Sequence, residues 1–278
     1  MLTIRDDYEK IYTNIMNTAR TYLMDHPYLK SLIVGVSGGI DSGLVTALAS
    51  EIVKGRPEIN LIGRVIPIET NTPEEIDRAE KIGNAFCTSF EVKDLTDAFR
   101  HLSKEIISGS DRDRHTDHGE KIRQGNIKAR TRMVYLFDLA HYHQGMVLST
   151  DNYTELLLGF WTLHGDVGNY GFIQFLWKTE VYGLARFLTD KYRAAGQPEK
   201  AAALRLCIDA VPTDGLGITS SDFDQIGVTT YEEADQMLID YLKGNKAHEA
   251  HPLIKRHLAS AFKRNDPLNI PREVLFKE

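Results

Sequence analysis

Predicted strands alternate with segments of helical periodicity through the first half of the chain. Short strands are predicted at residues 31–36, 60–69, 89–92 and 145–151, and the first two are largely apolar runs, typical of strands buried on both faces of a parallel sheet. Between the strands, apolar side chains recur every three or four residues, so each connection is predicted to be a helix. The alternation predicts a doubly wound, mostly parallel α/β sheet of about five strands with helices on both faces.

The remaining segments differ from this alternation in composition or in periodicity. Residues 108–121 contain no large apolar side chain, so they are predicted to form a mobile loop. Residues 225–278 carry two amphipathic patterns, at 230–243 and 246–263, and are predicted to form a C-terminal helical segment. Because no linker divides the chain, residues 1–278 are predicted to be a single domain.

A glycine turn follows the first predicted strand and leads directly into the next helix. Its sequence, SGGIDS at residues 37–42, places two glycines where Cβ atoms would otherwise keep an anion away from the backbone. Free N–H groups and the positive end of the helix then face one anion. Asp41 adds a carboxylate, which favours a cation such as the Mg²⁺ of a nucleotide between the two negative groups. The alternative is a plain strand-to-helix turn in which Asp41 caps the helix.

Composition and charge narrow the classes of protein. The net charge of −6 disfavours a dedicated nucleic-acid-binding protein, which usually presents a basic face. The charged N-terminal residues lack the apolar core of a signal peptide, and no run reaches the roughly 18 apolar residues of a membrane helix. Two cysteines are too few for a disulfide framework or a structural zinc site. We therefore expect a cytoplasmic protein without a membrane or nucleic-acid partner.

Polar residues collect where the predicted strands end, which is where open parallel sheets bind ligands. Ser37, Arg64 and Thr150 all lie at such ends. Glu155 lies one turn into a predicted helix among leucines, so it either caps that helix or holds a cation. Asp166 lies in a loop between two glycines. These positions are the first candidates for chemistry at the edge of the sheet.

A predicted helix at residues 122–143 carries the sequence GNIKARTRM. Gly125 inside a helix costs roughly 1 kcal/mol relative to alanine, which indicates close approach to another group. The cationic residues form either a solvated face or part of a binding site, and the helix alone leaves both open. Apolar residues within 133–137 share this helix, so we expect it to contribute to a homodimer interface.

Several motifs follow one another along the chain: SGGIDS, GNIKARTRM, STDNYTELLLGFWTLHGD, PTDGL and a closing KR. In this order they resemble the short, ammonia-dependent form of bacterial-type NAD synthetase. SGGIDS itself resembles the SGGxDS pyrophosphate loop of the ATP pyrophosphatase superfamily. The similarity covers nearly the whole chain, implies an adenine nucleotide alpha hydrolase-like fold, and favours a binding role for the GNIKARTRM helix.

The resemblance implies a ligase that forms a carbon–nitrogen bond. Such an enzyme would amidate deamido-NAD to NAD through an adenylated intermediate, with ammonia as nitrogen donor and release of AMP and pyrophosphate. ATP would be the co-substrate, and Asp41 and Glu155 would hold Mg²⁺. The enzyme would act as a homodimer.

Individual site residues carry over by the same resemblance, position by position. The expected catalytic residues are Asp41, Glu155, Asp166 and Lys178. The expected ATP-binding residues are Ser37, Gly38, Gly39, Asp41, Ser42, Arg64, Thr150, Lys178 and Thr213. The expected deamido-NAD-binding residues are Asn126, Arg130, Arg132, Asp166 and Lys263. Asp166 would lie near the incoming ammonia, and Lys263 would also approach the phosphates.

The chain departs from the family motifs at positions that concern the dinucleotide. Leu163 and His164 stand where relatives carry a lysine and a tyrosine, and Phe262 stands where they carry a histidine before Lys263. The expected magnesium ligands and the SGGIDS loop are unchanged. We therefore expect the catalytic framework to persist and the contacts to the dinucleotide to differ.

Neither cysteine has the sequence setting of a nucleophile. Cys87 follows Ala85 and Phe86 beside the predicted third strand, and Cys207 ends the helical run AAALRLC. Both resemble small buried hydrophobic residues rather than activated thiols. Since cutting the amide of glutamine needs such a thiol, ammonia and not glutamine is the expected nitrogen source.

The SGGIDS loop also allows three other interpretations of the protein: a GMP synthetase, a tRNA-modifying enzyme or a catalytically inactive nucleotide-binding protein. The acidic net charge disfavours the tRNA enzymes. The presence of Asp41, Glu155 and Lys178 counts against loss of catalysis. Pyrophosphate release with deamido-NAD, and not with XMP, would distinguish an NAD synthetase from these alternatives.

Overall fold

The computed structural model describes residues 2–69, 71–106, 117–211 and 222–276. Its five strands are β1 (Ser31–Gly35), β2 (Asn60–Val65), β3 (Ser89–Val92), β4 (Gly145–Ser149) and β5 (Tyr170–Gly171). They pair in the order β3-β2-β1-β4-β5, and every pair is parallel. The predicted parallel α/β sheet is confirmed.

The central strand β1 explains why the first apolar run is continuous. Ile33 aligns with Ile62 of β2 on one side and with Val147 of β4 on the other. Ile33 and Val34 point to opposite faces of the sheet, and neither has any exposed surface. Because both faces are covered, no polar residue interrupts the strand.

Helices cover both faces of the sheet. They are α1 (Tyr8–Asp25), α2 (Ile40–Val53), α3 (Pro73–Phe86), α4 (Thr96–Ile106), α5 (Asp117–Tyr142), α6 (Tyr153–Leu158), α7 (Lys178–Ala194), α8 (Pro198–Ile208), α9 (Asp222–Ile226), α10 (Tyr231–Leu242), α11 (Pro252–Ala259) and α12 (Arg272–Leu275). On one face, Leu32 and Val34 share an apolar core with α1, α2, α7 and α8. On the other, Ile33 packs with Met133 and Leu136 of α5. Within the described residues, no helix is long and apolar enough to cross a membrane.

The C-terminal helices α10 and α11 pack against α6 and the start of α7. Leu157 and the fully enclosed Trp177 share an apolar cluster with Leu238 of α10 and Leu253 of α11. This contact attaches the C-terminal helices to the two elements that carry Glu155 and Lys178. It supports the single-domain organisation, which stays a prediction.

Some boundaries differ from the predicted ones for identifiable reasons. β2 ends at Val65 rather than at residue 69, and Pro67, which has no N–H to donate, follows two residues later. The last long helical pattern begins only at Pro252, since residues 246–251 form turns before that proline. Residues 117–121 of the predicted mobile loop already belong to α5. The rest of that loop, residues 108–116, lies outside the described residues.

Candidate active site

The glycine turn between β1 and α2 needs its glycines. Gly38 has a φ of +82°, and a Cβ there would lie 2.5 Å from the carbonyl oxygen of Glu75. Ser42 Oγ accepts the N–H of Ser37 at 3.1 Å and lies 3.0 Å from Ser37 Oγ. Gly39 is the N-cap of α2 and offers no side-chain cap, so N–H groups at the start of α2 remain available to an anion.

Three helix starts meet beside this turn and bring three predicted catalytic residues together. Lys178 is the first residue of α7, Asp41 lies in the first turn of α2, and Glu155 lies in the first turn of α6. The Lys178 ammonium donates to Asp41 Oδ2 at 2.5 Å and to Glu155 Oε1 at 2.7 Å. Lys178 is 3% exposed, so these ion pairs are shielded from water.

The charges of this cluster do not cancel, because one ammonium faces two carboxylates. Burial, followed by the charge of Asp41, raises the pKa of Glu155, while Lys178 opposes that shift. Burial alone would lower the pKa of Lys178, but Asp41 and Glu155 raise it well above its ordinary value. The lysine is therefore a cation. The raised pKa of Glu155 reflects the repulsion between two buried carboxylates that share one ammonium, and a second cation bound beside them would relieve that repulsion.

Asp41 and Glu155 fit a Mg²⁺ site in both chemistry and position. One oxygen of each carboxylate lies within hydrogen-bond distance of the Lys178 ammonium, so the two groups are close enough to share a cation. Mg²⁺ is usually held by one or two carboxylates together with phosphate and water oxygens. Asn152 fixes both groups, since its Nδ2 donates to Asp41 Oδ1 at 2.8 Å and its Oδ1 accepts the N–H of Glu155 at 3.0 Å. No group of three or more His, Cys, Asp or Glu that could by itself hold a metal ion occurs in the part of the chain that the structure describes. The other ligands would therefore come from substrate and water.

A cavity of about 710 Å³ opens beside this cluster at the carboxyl end of the sheet. Its lining includes ten of the predicted site residues: Ser37, Asp41, Ser42, Arg64, Asn126, Arg132, Thr150, Glu155, Asp166 and Lys263. The size suits a nucleotide-sized ligand. The cavity thus joins the predicted phosphate, metal and dinucleotide positions in one space.

Asp166 lines the cavity and is held by a single main-chain donor. Both of its carboxylate oxygens accept the N–H of Thr162, at 2.9 and 3.0 Å, and the Thr162 hydroxyl donates to Asn126 Oδ1 at 2.8 Å. Burial, with the charge of Asp151 next, raises the pKa of Asp166 to about 7. A carboxylate of this kind can exchange a proton near neutral pH.

Two of the predicted basic residues around the cavity are anchored to backbone carbonyls. Arg132 Nε donates to the carbonyl of Ile66 at 3.0 Å. The Lys263 ammonium donates to the carbonyl of Gly159 at 2.8 Å and also to that of Trp161. Both side chains are thus held against the cavity before any substrate enters.

Arg64 and Arg130 have different surroundings. Arg64 is nine-tenths buried at the end of β2, with NH1 donating to the carbonyl of Gly63 at 2.8 Å and Nε 3.5 Å from a Glu91 oxygen. Arg130 is exposed, donates to the carbonyl of Leu163 at 3.1 Å, and lies outside the cavity lining. Lys178, Gly38 and Gly39 do not line the cavity. Thr213 lies outside the described residues, and the assigned roles of all these residues stay predictions.

Three polar residues at the site were missed by sequence reasoning. Asn152 bridges Asp41 and Glu155, as described above. Asp151 lines the cavity, where Ser149 Oγ donates to it at 2.5 Å and burial raises its pKa to about 6. Asp235 has no exposed surface on α10. Its signal in the sequence is an acidic residue on the apolar side of an amphipathic helix, whereas Asn152 and Asp151 carry no comparable pattern.

Together, the parallel sheet, the anion-binding turn and the lysine–carboxylate cluster at the carboxyl ends of the strands define an α/β enzyme that binds nucleotide phosphates. The sequence family is more specific. The NAD synthase model matches residues 11–275. The NH(3)-dependent NAD(+) synthetase of Thermoplasma acidophilum is 30% identical over 250 residues, which cover 87% of this chain and 91% of that protein. The chain therefore belongs to the NAD synthase family, and the predicted resemblance is confirmed.

Solved structures agree on the fold. The NMN synthetase of Francisella tularensis superposes with a TM-score of 0.76 at 22% identity and covers 96% of this chain and 99% of its own. The NH3-dependent NAD synthetase of Campylobacter jejuni gives a TM-score of 0.68 at 20% identity, covering 95% of this chain and 99% of its own. At these identities the likeness establishes the architecture alone.

Proposed function

We propose that this protein is a ligase that amidates deamido-NAD to NAD with ammonia and ATP. The observation that carries the proposal is the convergence of Lys178, Asp41 and Glu155 beside the anion-binding turn, in a chain of the NAD synthase family. The relatives named NH(3)-dependent NAD(+) synthetases support ammonia as the nitrogen donor. A GMP synthetase or a tRNA-modifying enzyme is correspondingly disfavoured.

The first half-reaction joins the nicotinate carboxylate to the α phosphorus of ATP. The new P–O bond forms as the bond to the departing pyrophosphate breaks, so negative charge builds on the leaving group. N–H groups at the start of α2 and the hydroxyls of Ser37 and Ser42 would bind those phosphates. Lys178 would add its positive charge from its buried position beside Asp41 and Glu155. Mg²⁺ held by Asp41 and Glu155 would supply further charge neutralisation.

The second half-reaction replaces AMP with ammonia at the activated carboxyl group. Ammonia must lose a proton as the carbon–nitrogen bond forms and the bond to AMP breaks. Asp166 has a pKa near 7 and lines the same cavity, so it is the group proposed to take that proton. Thr162 holds both of its oxygens, which fixes the orientation of the carboxylate.

The dinucleotide is proposed to extend along the part of the cavity lined by Asn126, Arg132 and Lys263. The two cations are partly shielded there, which strengthens their attraction for a pyrophosphate. Arg130, on the exposed side of α5, is assigned to the same substrate across a dimer interface. This placement requires a second copy of the chain.

A homodimer through α5 is supported by the exposed apolar residues of that helix. Val134 is 73% exposed and Phe137 is 40% exposed, and their spacing of three residues places them on one face. A dimer that covers this face would remove apolar surface from water. It would also bring the exposed Arg130, one turn from Val134, close to the partner subunit.

One observation favours a second acceptor, nicotinate mononucleotide. By the family resemblance, Leu163 and the largely exposed His164 replace a lysine and a tyrosine, which changes the side chains available to a dinucleotide. The Francisella tularensis structure bears the name NMN synthetase, although its 22% identity carries the fold alone. Because the relatives at 30% identity are NAD synthetases, deamido-NAD remains the main proposal.

Pyrophosphate release measured with different acceptors tests the proposed function. ATP, Mg²⁺ and ammonium would be supplied with deamido-NAD, nicotinate mononucleotide or XMP in parallel. We expect the highest kcat/KM with deamido-NAD and no release above background with XMP. Higher kcat/KM with the mononucleotide would reassign the acceptor, and turnover of XMP alone would contradict the proposal.

A further inference from the structure

We propose that Asp235 of α10 is a positioning residue that holds Glu155 and Lys178 in their active geometry. The inference rests on the proposed roles of those two residues. Asp235 has no exposed surface and is separated from Thr154 by 81 residues of sequence, yet the two side chains are directly hydrogen-bonded. A carboxylate buried without a cation beside it is costly unless hydrogen bonds satisfy it.

Each oxygen of the Asp235 carboxylate accepts one hydrogen bond. Oδ1 accepts the hydroxyl of Thr154 at 2.5 Å, and Oδ2 accepts the main-chain N–H of Thr179 at 2.9 Å. Thr154 precedes Glu155 in α6, and Thr179 follows Lys178 in α7. The carboxylate therefore ties together the first turns of the two helices that supply the ion pair.

The hydrogen bonds around Asp235 form a chain with a fixed direction. The N–H of Lys178 donates to Thr154 Oγ1 at 2.9 Å, and the same hydroxyl donates its single proton to Asp235. A threonine hydroxyl has only one proton to donate. The group at position 235 must therefore accept a hydrogen bond from the Thr154 hydroxyl and another from the N–H of Thr179. An ionised carboxylate meets that need. Burial raises the pKa of Asp235 to about 6, so the carboxylate is present well above that pH.

The same face of α10 also contacts the far end of Lys178. Tyr231 lies one turn before Asp235, and its ring centroid is 5.2 Å from the Lys178 ammonium, within cation–π range. α10 thus holds Lys178 at its main-chain N–H, through Thr154 and Asp235, and at its charged end, through Tyr231. The C-terminal helices therefore take part in shaping the site.

Replacing Asp235 by asparagine keeps the volume and removes the acceptor on one side. If the amide oxygen faces the N–H of Thr179, the amide NH2 faces Thr154 and the threonine proton loses its acceptor. If the amide is flipped, its NH2 faces the N–H of Thr179, and no hydrogen bond forms because both groups are donors. The first orientation reverses the bond to Thr154 and leaves the hydroxyl proton without its present acceptor, and the second loses the bond to the N–H of Thr179. Either orientation therefore weakens the link between the starts of α6 and α7.

The test compares Asp235→Asn with Asp240→Asn, the same substitution on the same helix at a residue whose side chain accepts from Gln236. Assays run well above pH 6 at saturating acceptor and ammonium, with ATP varied. We expect kcat of D235N to fall about tenfold or more and its KM for ATP to rise, with D240N unchanged. Thermal unfolding of each variant identifies any loss that merely follows unfolding.

Substitutions of Thr154 provide a second, independent test, which remains informative even if D235N folds poorly. Thr154→Ser keeps the hydroxyl and should retain wild-type kcat, whereas Thr154→Val removes it and should reproduce the loss seen in D235N. Since both residues belong to one chain of bonds, the double variant T154V/D235N should lose no more than the worse single variant. Independent structural roles would instead give multiplied losses, which would overturn the inference.

Lys178→Met separates a failure of this inference from a failure of the proposed function. An inactive K178M together with normal kcat and KM for ATP in D235N and T154V would overturn the role of Asp235 and leave the function intact. A fully active K178M would refute the proposed role of Lys178 itself. Loss in K178M, D235N and T154V, with retention in T154S and D240N, is the result that we expect.

Discussion

The Lys178 ammonium lies 2.5 Å from Asp41 Oδ2, in a contact that joins residues 137 positions apart in the sequence. The same ammonium reaches Glu155 Oε1 at 2.7 Å, and Lys178 itself is nine-tenths buried. One cation therefore holds together two carboxylates that would otherwise repel each other. Removing one member of such a buried ion pair leaves uncompensated charge behind.

We expect Lys178→Met to lose catalysis and also stability. The methionine leaves Asp41 and Glu155 facing each other, which should cost about 3–5 kcal/mol of unfolding free energy. A divalent cation between the carboxylates would restore part of it, so Mn²⁺ without ATP should raise the Tm of K178M more than that of the wild type. Lys191→Met, at an exposed lysine of the same helix, is the control. Equal Mn²⁺ responses in K178M and the wild type would contradict this account of the cluster.

Asp41→Asn and Glu155→Gln should each lower kcat by at least about a hundredfold while the fold persists. Each substitution removes one negative charge from the proposed Mg²⁺ ligands but keeps the size of the side chain. The measurement is turnover at saturating Mg²⁺, with circular dichroism to confirm folding. Asp190→Asn, at an exposed aspartate of α7, controls for the substitution itself. Near-normal turnover of either active-site variant would show that these carboxylates do not hold the catalytic metal.

Asp166 should give the activity a pH dependence near neutrality. Its pKa is raised to about 7, so the carboxylate needed to take a proton appears only as the pH rises through that value. We expect kcat to increase through about pH 7, at a constant concentration of free ammonia, and Asp166→Asn to lose most activity together with this inflection. Asp151→Asn is the matched comparison, because its pKa of about 6 lies close by. An inflection that survives in D166N and disappears in D151N would make Asp151 the proton acceptor.

The same shift in pKa has a consequence for stability. Between the ordinary Asp pKa of 3.8 and about 7, Asp166 binds more protons in the folded protein than in the unfolded chain. The contribution of this group to the unfolding free energy therefore falls as pH rises through that window. Chemical denaturation across this range should show a smaller fall with pH in D166N than in the wild type. An identical slope in the two proteins would contradict the raised pKa.

The parts of the fold that were predictable depend on local sequence. Ile33 and Val34 are apolar because both faces of β1 are covered. The resulting continuous apolar run made this buried strand predictable from the sequence. The turn after β1 was also predictable, because its glycines are visible in the sequence. Gly38 is required there, since it adopts a positive φ against the backbone of Glu75. Such signals lie within a few residues of the structure they specify.

The parts that were missed depend on distant partners. β5 has only two residues, Tyr170 and Gly171, which is too short to show any periodicity. The bond between Thr154 and Asp235 joins helices far apart in sequence. Thr154 lies within the motif STDNYTELLLGFWTLHGD, but Asp235 lies outside every motif, and no local pattern pairs the two. The placement of Lys178 in the same site as Asp41 was predicted only through family resemblance, and their direct contact was not predicted, since no local pattern places a lysine of α7 against the turn after β1.

A homodimer through α5 should be sensitive to charge on its exposed apolar face. Val134→Asp places a carboxylate on a residue that is 73% exposed in the single chain, so the fold should survive and association should weaken. Val211→Asp makes the same change at a residue of similar exposure outside α5. Light scattering should show a dimer for the wild type and V211D and a monomer for V134D. A monomeric wild type with full activity would contradict the proposed role of the dimer.

Neither cysteine of the chain is set up to cut glutamine. Cys87 and Cys207 are largely enclosed, and burial raises the pKa of both thiols to about 12, so neither forms the reactive thiolate near neutral pH. The sequence expectation that both behave as buried hydrophobic residues agrees with this placement. Nitrogen should therefore enter as ammonia itself.

The most direct test supplies the purified protein with deamido-NAD, ATP, Mg²⁺ and ¹⁵N-labelled ammonium. We expect labelled NAD, with AMP and pyrophosphate formed in equal amounts. Ammonia-free glutamine carrying the same label in its amide should give no NAD in place of ammonium. Efficient amidation from glutamine without a partner protein, or no NAD at all from ammonium, would contradict the assignment of this chain as an ammonia-dependent NAD synthetase.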